Sequence, residues 1–247
     1  MPAISSDTLD RLRAFDTPTI CNVIELFEVR PRNRGFLDHR IRSCFPSLPP
    51  MVGFAAPAAF RSDAAPAAPD AYGSLDAQLE QFERLPGPAV VVLQDLDDPP
   101  VGAVFGEVMC STYRAFGAEG LVTNGGGRDL PQVEKLSFPV FTGGTICAHA
   151  YCHLLHIGLP VRVGGVTIAE GELIHGDGDG VTTIPIDIAS EVADAAPEFV
   201  AAEAIILDYL RTEERPSRSE YAARRRAFQA EVAAIRQRIG VKSNHSA

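Results

Sequence analysis

The run Gly120-Leu121-Val122-Thr123 breaks into Asn124 and three consecutive glycines, Gly125, Gly126 and Gly127, followed at once by Arg128-Asp129. Apolar and β-branched residues cut off by glycine read as a buried strand with a sharp exit. Glycine has no Cβ, so the backbone there can turn tightly or come close to a ligand. Any fold that buries this strand must therefore present an arginine and an aspartate at the end of a sheet.

The surrounding pattern is an alternation of strands and helices. Residues 89–93 form a second β-branched run, and residues 106–116 read as a helix that Gly117 ends. A helix near 75–82 precedes them, and a short one at 130–136 leads to a strand at 138–142. From Leu154 onward the pattern turns to β: strands at 159–163 and 166–169 around Gly164-Gly165, a turn at Glu170-Gly171, then a Gly/Asp-rich loop and a strand at 181–185. The N-terminal part reads as two short helices. Ser6 caps the first, which carries Leu9, Leu12 and Phe15 on one face, and Thr17 caps the second with Pro18 at its first helical position. Late helices are expected to break around Pro197, run to Leu210, and resume after Pro216 over 219–239. The class is α/β with a β-rich second half and helical ends. Residues 1–205 are expected to form one domain, with the Ala/Pro-rich stretch 55–72 as a surface insertion, and 206–247 a helical tail.

Charge narrows the partners. The 247 residues carry 22 Lys+Arg and 32 Asp+Glu, a formal charge of −10. That argues against nucleic acid or an anionic membrane as the main partner, since both call for a basic footprint. Residues 211–247 hold nine Lys/Arg against four Asp/Glu, a surplus of +5 that leaves −15 on residues 1–210. No apolar run is long enough to span a bilayer, and the first residues lack a secretory pattern. Five scattered cysteines make no zinc spacing and read as reduced thiols, so a cytoplasmic location is expected.

Two stretches carry chemistry. Gly106-Glu107-Val108-Met109 lies where a loop enters a helix. The N–H groups of Val108 and Met109 have no intrahelical partner there and, with the helix dipole, suit a carboxylate. Arg128 would offer a planar fork to a carboxylate, and Asp129 a hard oxygen to a divalent cation. On spacing alone, a structural Arg128–Asp129 ion pair is the commoner reading of such a pair.

The run Gly106-Glu107, then Gly117-Ala118-Glu119-Gly120-Leu121-Val122-Thr123-Asn124-Gly125-Gly126-Gly127-Arg128-Asp129, resembles the RraA-like family. That family contains the 4-hydroxy-4-methyl-2-oxoglutarate (class II pyruvate) aldolases and the regulator of RNase E activity. A second block fits in order and spacing: Gly164-Gly165-Val166-Thr167-Ile168, Gly171-Glu172-Leu173-Ile174, Asp177, Asp179-Gly180-Val181 and Ile184-Pro185. The resemblance implies a swivelling-type α/β domain that assembles as trimers or hexamers with active sites between subunits. It implies Mg²⁺ or Mn²⁺ on Asp129, with water-mediated help from Glu107. Arg128 and the backbone at Gly106, Val108 and Met109 would hold the carboxylate and keto oxygen of a small 2-oxo acid. The implied activity is that of a lyase passing through a pyruvate enolate, by retro-aldol cleavage of a 4-hydroxy-2-oxo acid or by decarboxylation of oxaloacetate. Family aldolases commonly carry an acid three residues after the aspartate, where this chain has Gln132; Glu134 comes two residues too late. The partner subunit's acid is expected late in the chain, with Glu213 and Glu214 as guesses. A non-catalytic, protein-binding regulator is the rival reading, and Gln132 is compatible with it.

A Schiff-base mechanism has little to work with, because the only lysines are Lys135, beside Glu134, and Lys242 in the polar tail. His149, His153 and His156 look like a cluster but read first as structural or pocket-wall residues, then as substrate contacts, and least as a metal site. Asp177-Gly178-Asp179-Gly180 lacks the remaining ligands of a calcium loop, and the triple glycine is not followed by the Lys-Ser/Thr of a phosphate loop. Asp95, Asp97 and Asp98 with Pro99-Pro100 read as a strand-ending loop that leads toward Gly106 and is a candidate to line the cleft. In the tail, Tyr221, Phe228, Val232, Ile235 and Ile239 form a narrow stripe suited to the chain's own body or to a neighbouring subunit.

Overall fold

A computed structural model describes residues 4–66 and 73–243. In chain order the elements are α1 (Ser6–Arg13), α2 (Thr17–Leu26), β1 (Arg42–Ser43), β2 (Met51–Arg61), α3 (Gly73–Phe82), β3 (Ala89–Asp95), β4 (Ala103–Phe105) and α4 (Glu107–Ala115). There follow β5 (Ala118–Thr123), β6 (Gly126–Gly127), α5 (Leu130–Lys135), β7 (Val140–Thr142), β8 (Gly144–Thr145), β9 (His153–Leu155), β10 (Val161–Val163) and β11 (Val166–Ile168). The last are β12 (Leu173–Asp177), β13 (Gly180–Ile184), α6 (Ala189–Thr212) and α7 (Arg218–Ser243).

The main sheet runs β1-β7-β5-β3-β2-β12-β13, with β9 also paired to β2. The pairs β2–β3, β3–β5 and β5–β7 are parallel, and the flanking pairs are antiparallel. β3 shows why the valine run folds as it does. Val91 and Leu93 enter one core with Cys110 and Tyr113 of α4, while Val90 and Val92 enter another with Val161, Val163 and Ile168 of the β10–β11 hairpin. A strand covered on both faces needs apolar residues at every position rather than at alternate ones. A third core joins Val52, Phe54, Leu173 and Ile184 to the apolar faces of α1, α2 and α6.

Residues 55–61 correct the expected insertion: they are the second half of β2, in the middle of the sheet, and Ala55–Phe60 are buried. Small side chains fit because both faces are covered, with Ala56 and Ala58 in one core and Ala55 in another. Pro57 is tolerated for a geometric reason. Its carbonyl accepts from Gly158 N–H (2.9 Å) on the side away from β3, and its ring nitrogen points the same way. On that side Pro57 falls between the stretch paired with β12 and the stretch paired with β9, so no ladder bond is lost. The rest of the expected insertion, 67–72, lies outside the described residues.

Three smaller expectations shift. Ser5, not Ser6, caps α1, its hydroxyl accepting from Thr8 N–H, and Asp16, not Thr17, caps α2, accepting from Thr19 N–H. Residues 173–177, before the last strand, are themselves a strand rather than part of a loop. α6 runs unbroken through Pro197, which is exposed, while Val192, Ala193, Ala195, Ala196, Phe199 and Ala202 pack inward on both sides of it. Their combined burial outweighs the roughly 3 kcal/mol that an internal proline costs.

The boundary expected at 205/206 falls inside α6. The tail stripe packs on its own body through Ile235 and Ile239, which are buried in the core that holds Leu12 and Ile20. Arg236 and Arg238 add surface pairs to Glu28 (2.6 Å) and Glu198 (2.7 Å).

Candidate active site

The parallel strands deliver their C-terminal ends to one edge, and the second of them, β3, ends in Asp95. Asp95 N–H donates to Asn124 Oδ1 (2.8 Å), and Asn124 Nδ2 donates to the carbonyl of Asp95 (3.0 Å). The Asn124 amide thus continues the β3–β5 pairing for one residue after the backbone has turned away. Beyond it the chain enters a small parallel sheet, β4-β6-β8.

The three glycines are there for packing. None has a positive φ. A Cβ on Gly125 would stand 2.3 Å from Val104 Cγ2, one on Gly126 2.6 Å from Ile146 Cγ1, and one on Gly127 2.1 Å from Phe105 Cζ. Each close approach is made by the protein's own side chains. Arg128 N–H then donates to the carbonyl of Phe105 (3.1 Å), which fixes where the Arg-Asp pair emerges.

Asp129 has a left-handed backbone, φ 56° and ψ 31°, uncommon for a residue with a Cβ though less so for aspartate. It stands at the start of α5 without capping it. Its Oδ2 accepts instead from Glu107 N–H at the start of α4 (3.1 Å). Gly106, extended at φ −158°, makes this possible, because a Cβ there would be 2.7 Å from Asp129 Oδ2 and 3.1 Å from Arg128 Cγ. The first intrahelical bond of α4 is Cys110 N–H to the carbonyl of Gly106 (3.0 Å), so the N–H groups of Val108 and Met109 lie ahead of it. Gly106, Glu107, Val108, Met109, Arg128 and Asp129 are therefore brought to one place. The side chains of Arg128 and Asp129 are 32% and 39% exposed, with Arg128 Nε 3.8 Å from Asp129 Oδ2. The ion pair foreseen as an alternative is present, but it is loose and open to solvent.

Other expected residues lie apart from this centre or at its margin. Gln132 is exposed on α5, its N–H bonded to the carbonyl of Asp129 (3.0 Å), and Glu134 is exposed two residues on. Glu213 and Glu214 are exposed between α6 and α7. The three histidines do not converge: Nδ1 of His149 contacts the carbonyl of Ala150 (2.8 Å), Nδ1 of His153 that of Tyr151 (2.8 Å), and His156 is exposed. Among the described residues no group of three or more His, Cys, Asp and Glu is placed to hold a metal ion. What the centre offers a cation is one carboxylate, a second acid on the adjoining helical turn and open water. That suits Mg²⁺, which keeps several waters and takes one or two carboxylates, better than an ion that requires a closed cage.

The surroundings of the centre hold a cysteine that was not foreseen and two aspartates that were read only as a loop beside it. Cys152 lies close enough to Arg128 for the guanidinium to act on its thiol; burial pushes that thiol up and Arg128 partly offsets it. Asp97 is a hub for the chain after β2. Burial pushes its carboxyl up, but donors from Ser62 N–H (2.7 Å), Asp63 N–H (2.9 Å) and Arg61 Nε (3.1 Å) more than offset this and hold it below the ordinary value. Asp95 is only 3% exposed, and its Oδ2 has no hydrogen-bond partner. A groove of about 670 Å³ lies elsewhere, between α2, α6 and α7, over Leu26, Phe199, Phe228 and Val232. It shares no residue with the Arg128–Asp129 centre, where the chemistry-bearing groups are.

Comparison with known proteins places these features in context. The family model described as RraA-like: Aldolase/RraA matches residues 17–183. A Halalkalibacterium halodurans protein provisionally named a 4-hydroxy-4-methyl-2-oxoglutarate aldolase is 36% identical over 105 residues, covering 42% of this chain and 49% of that one. The chain spans about half or less of the length of the curated relatives it matches. Among solved structures, one described with novel cellulases from gut-associated microbes is 25% identical with TM-score 0.70, covering 82% of this chain and 88% of that one. Streptomyces coelicolor RraAS2, described as an unusual member of the RNase ES inhibitor family, shares the fold at 22% identity and TM-score 0.67, covering 86% and 100%.

Proposed function

The chain belongs to the RraA-like family, and from that premise we propose that it is a divalent-metal-dependent lyase that cleaves a C–C bond of a 2-oxo acid. The observation that carries this reading is the obligatory glycine at 106. It lets an aspartate and an arginine lie across the open N-terminus of a helix, so that a carboxylate finds donors on two sides.

Each group has a task. Arg128 presents a planar fork to the substrate carboxylate. The N–H groups of Val108 and Met109 face the same anion and the 2-oxo oxygen, pre-aligned and favoured by the helix dipole. Asp129, held in place by Glu107 N–H, would be the protein ligand to Mg²⁺ or Mn²⁺, with Glu107 reaching the ion's waters. The cation, when bound, supplies Lewis-acid stabilisation of the charge that develops on the 2-oxo oxygen. Gln132 weighs on the choice of reaction. Retro-aldol cleavage needs a base to take the 4-hydroxyl proton, and an amide cannot serve. Decarboxylation of oxaloacetate releases CO₂ without that step, so it is the less demanding reaction for this chain. A homo-oligomer, trimeric or hexameric, in the cytoplasm completes the reading. No helix among the described residues is long and apolar enough to cross a membrane.

Gln132 also favours one second reading, a protein-binding regulator without catalysis. One experiment separates the two: pyruvate release from oxaloacetate and from 4-hydroxy-2-oxo acids is followed with Mg²⁺ and then with EDTA, in wild type and in Asp129→Ala. EDTA-sensitive release that the substitution abolishes supports the lyase. No release from any of these substrates, or an unchanged rate in Asp129→Ala, would sink it.

A further inference from the structure

Asp95 is a buried carboxyl for which the reaction above has no use. Its Oδ1 accepts from Asp97 N–H (3.0 Å), while Oδ2 is sealed from solvent with no donor facing it. Oδ2 lies against Gly125, 2.7 Å from where a Cβ on that residue would stand, and the same Cβ would be 2.3 Å from Val104 Cγ2. The backbone of Asp95 is clamped to Asn124, and the carbonyl of Gly125 is held from above by Thr142 Oγ1 and by Gly143 N–H (3.3 Å). The Asp95 carboxyl is therefore the floor of the segment that leads to Arg128 and Asp129.

An ionised carboxylate taken out of water collects donors on both oxygens, because a bare buried charge costs far more than an unpaired neutral group. Oδ2 has collected none. The charged group acting on Asp95 is Asp97, itself bound to Arg61. Phe60, which pairs with Asp95 from β2, Asn124, which bonds its backbone, and Val104, which meets Gly125 beside it, are uncharged. We propose that Asp95 is a positioning residue that sets the path of the 124–129 segment from beneath, and that it does so in its neutral, protonated form. On ionisation, the buried charge requires a donor or a water, and Gly125 is the neighbour that must move to admit one. The segment then has two settings, and the Arg128–Asp129 pair moves with it. Burial pushes the carboxyl up to about 6, the Asp97 N–H offsetting part of this and the Asp97 charge adding to it, which places the change within an accessible pH range.

The test follows the proton and the segment separately in the full chain. The ¹³Cγ resonance of Asp95 and the amide resonances of Gly125, Gly126 and Gly127 are titrated from pH 5 to pH 8. We expect a shared midpoint near pH 6 in wild type. The glycine titration should vanish in Asp95→Asn, with its spectrum matching the low-pH wild type, and persist in Asp129→Asn. A ¹³Cγ midpoint below pH 5, static glycine amides in wild type, or a glycine titration that survives Asp95→Asn would each overturn the proposal. Because the carboxyl midpoint is read in wild type, the result stands even if a variant fails to fold. The effect on ligand rests on the lyase reading. With Mg²⁺ and oxalate as probe, affinity should fall toward tenfold per pH unit above the midpoint, as the competent fraction falls, and be flat in Asp95→Asn. Oxalate that binds at no pH would count against the lyase, while the glycine amides alone decide the role of Asp95.

Discussion

Replacing Gly127 with alanine asks what the triple glycine is for. A Cβ there would lie 2.1 Å from Phe105 Cζ and 2.5 Å from Cε1, where carbon atoms settle at about 3.5–4.0 Å. The ring must retreat by more than an ångström, but Phe105 is 1% exposed and packed among Cys110, Tyr113 and Val133, with nowhere to go. Overpacking of this kind costs about 1–3 kcal/mol. For a chain of this size that lowers Tm by about 2–4 °C per kcal/mol. Phe105→Ala alone should cost about 3–5 kcal/mol by leaving a hole. In the double variant the new methyl group fills part of that hole, so the total should fall short of the sum of the singles by about 1 kcal/mol or more. Urea denaturation of the four proteins at constant m-value measures all of these quantities. A Gly127→Ala protein with wild-type stability and weakened oxalate binding would refute the packing argument and return the glycine to the role of ligand approach.

Two further outcomes follow from buried groups. His175 is fully buried, its Nδ1 paired with Thr17 Oγ1 (2.9 Å) and its Nε2 with the carbonyl of Leu12 (3.2 Å), and burial holds it below its ordinary value. The unfolded chain therefore takes up this proton first. The stabilising contribution is complete above about pH 6.5 and is lost as pH falls through the folded value, with a slope of up to about 1.4 kcal/mol per pH unit. In a urea series from pH 7.5 to pH 5, His175→Gln should lack this component of the slope, and an identical slope would contradict it. Ile239→Ala, truncating a side chain 4% exposed on α7, should cost about 2–4 kcal/mol and lower the single unfolding midpoint. A separate early transition for the tail, with the main one unmoved, would show instead that α7 is not part of the body.

The strands that sequence reading located are those whose burial shows in composition. The valines of β3 and the Leu121-Val122-Thr123 run of β5 declare themselves because both faces are covered by apolar neighbours. The stretch 55–59 of β2 is equally buried but made of alanine and proline, so local propensity pointed to a loop while tertiary packing selected a strand. The groups of the centre were legible because backbone N–H groups at a helix start and a following Arg-Asp pair have a chemistry independent of fold. Their geometry was not. Nothing local says that Asp129 would take a left-handed backbone and bond to α4 rather than cap α5. Asp95 was legible only as part of a strand-ending loop near the cleft: an aspartate before Asp97, Asp98 and two prolines gives no sign of burial, and only the fold shows its carboxyl against Gly125.

β2 also dictates an order of events during synthesis. Phe54 pairs with Leu173 and Met51 with Gly176, while Ala59 pairs with Leu155, so this early strand waits on partners about a hundred residues or more further along the chain. Alanine and proline give it little tendency to hold an extended form alone. Until those partners leave the ribosome, the nascent chain can assemble β3, β5 and their helices but carries an open edge where β2 has only one neighbour. Closing such distant pairs comes at the end of the loop-entropy cost and sets a slow last step. A truncation before residue 173 would thus remove more than a flanking pair of strands: it would leave the middle of the sheet exposed to other chains.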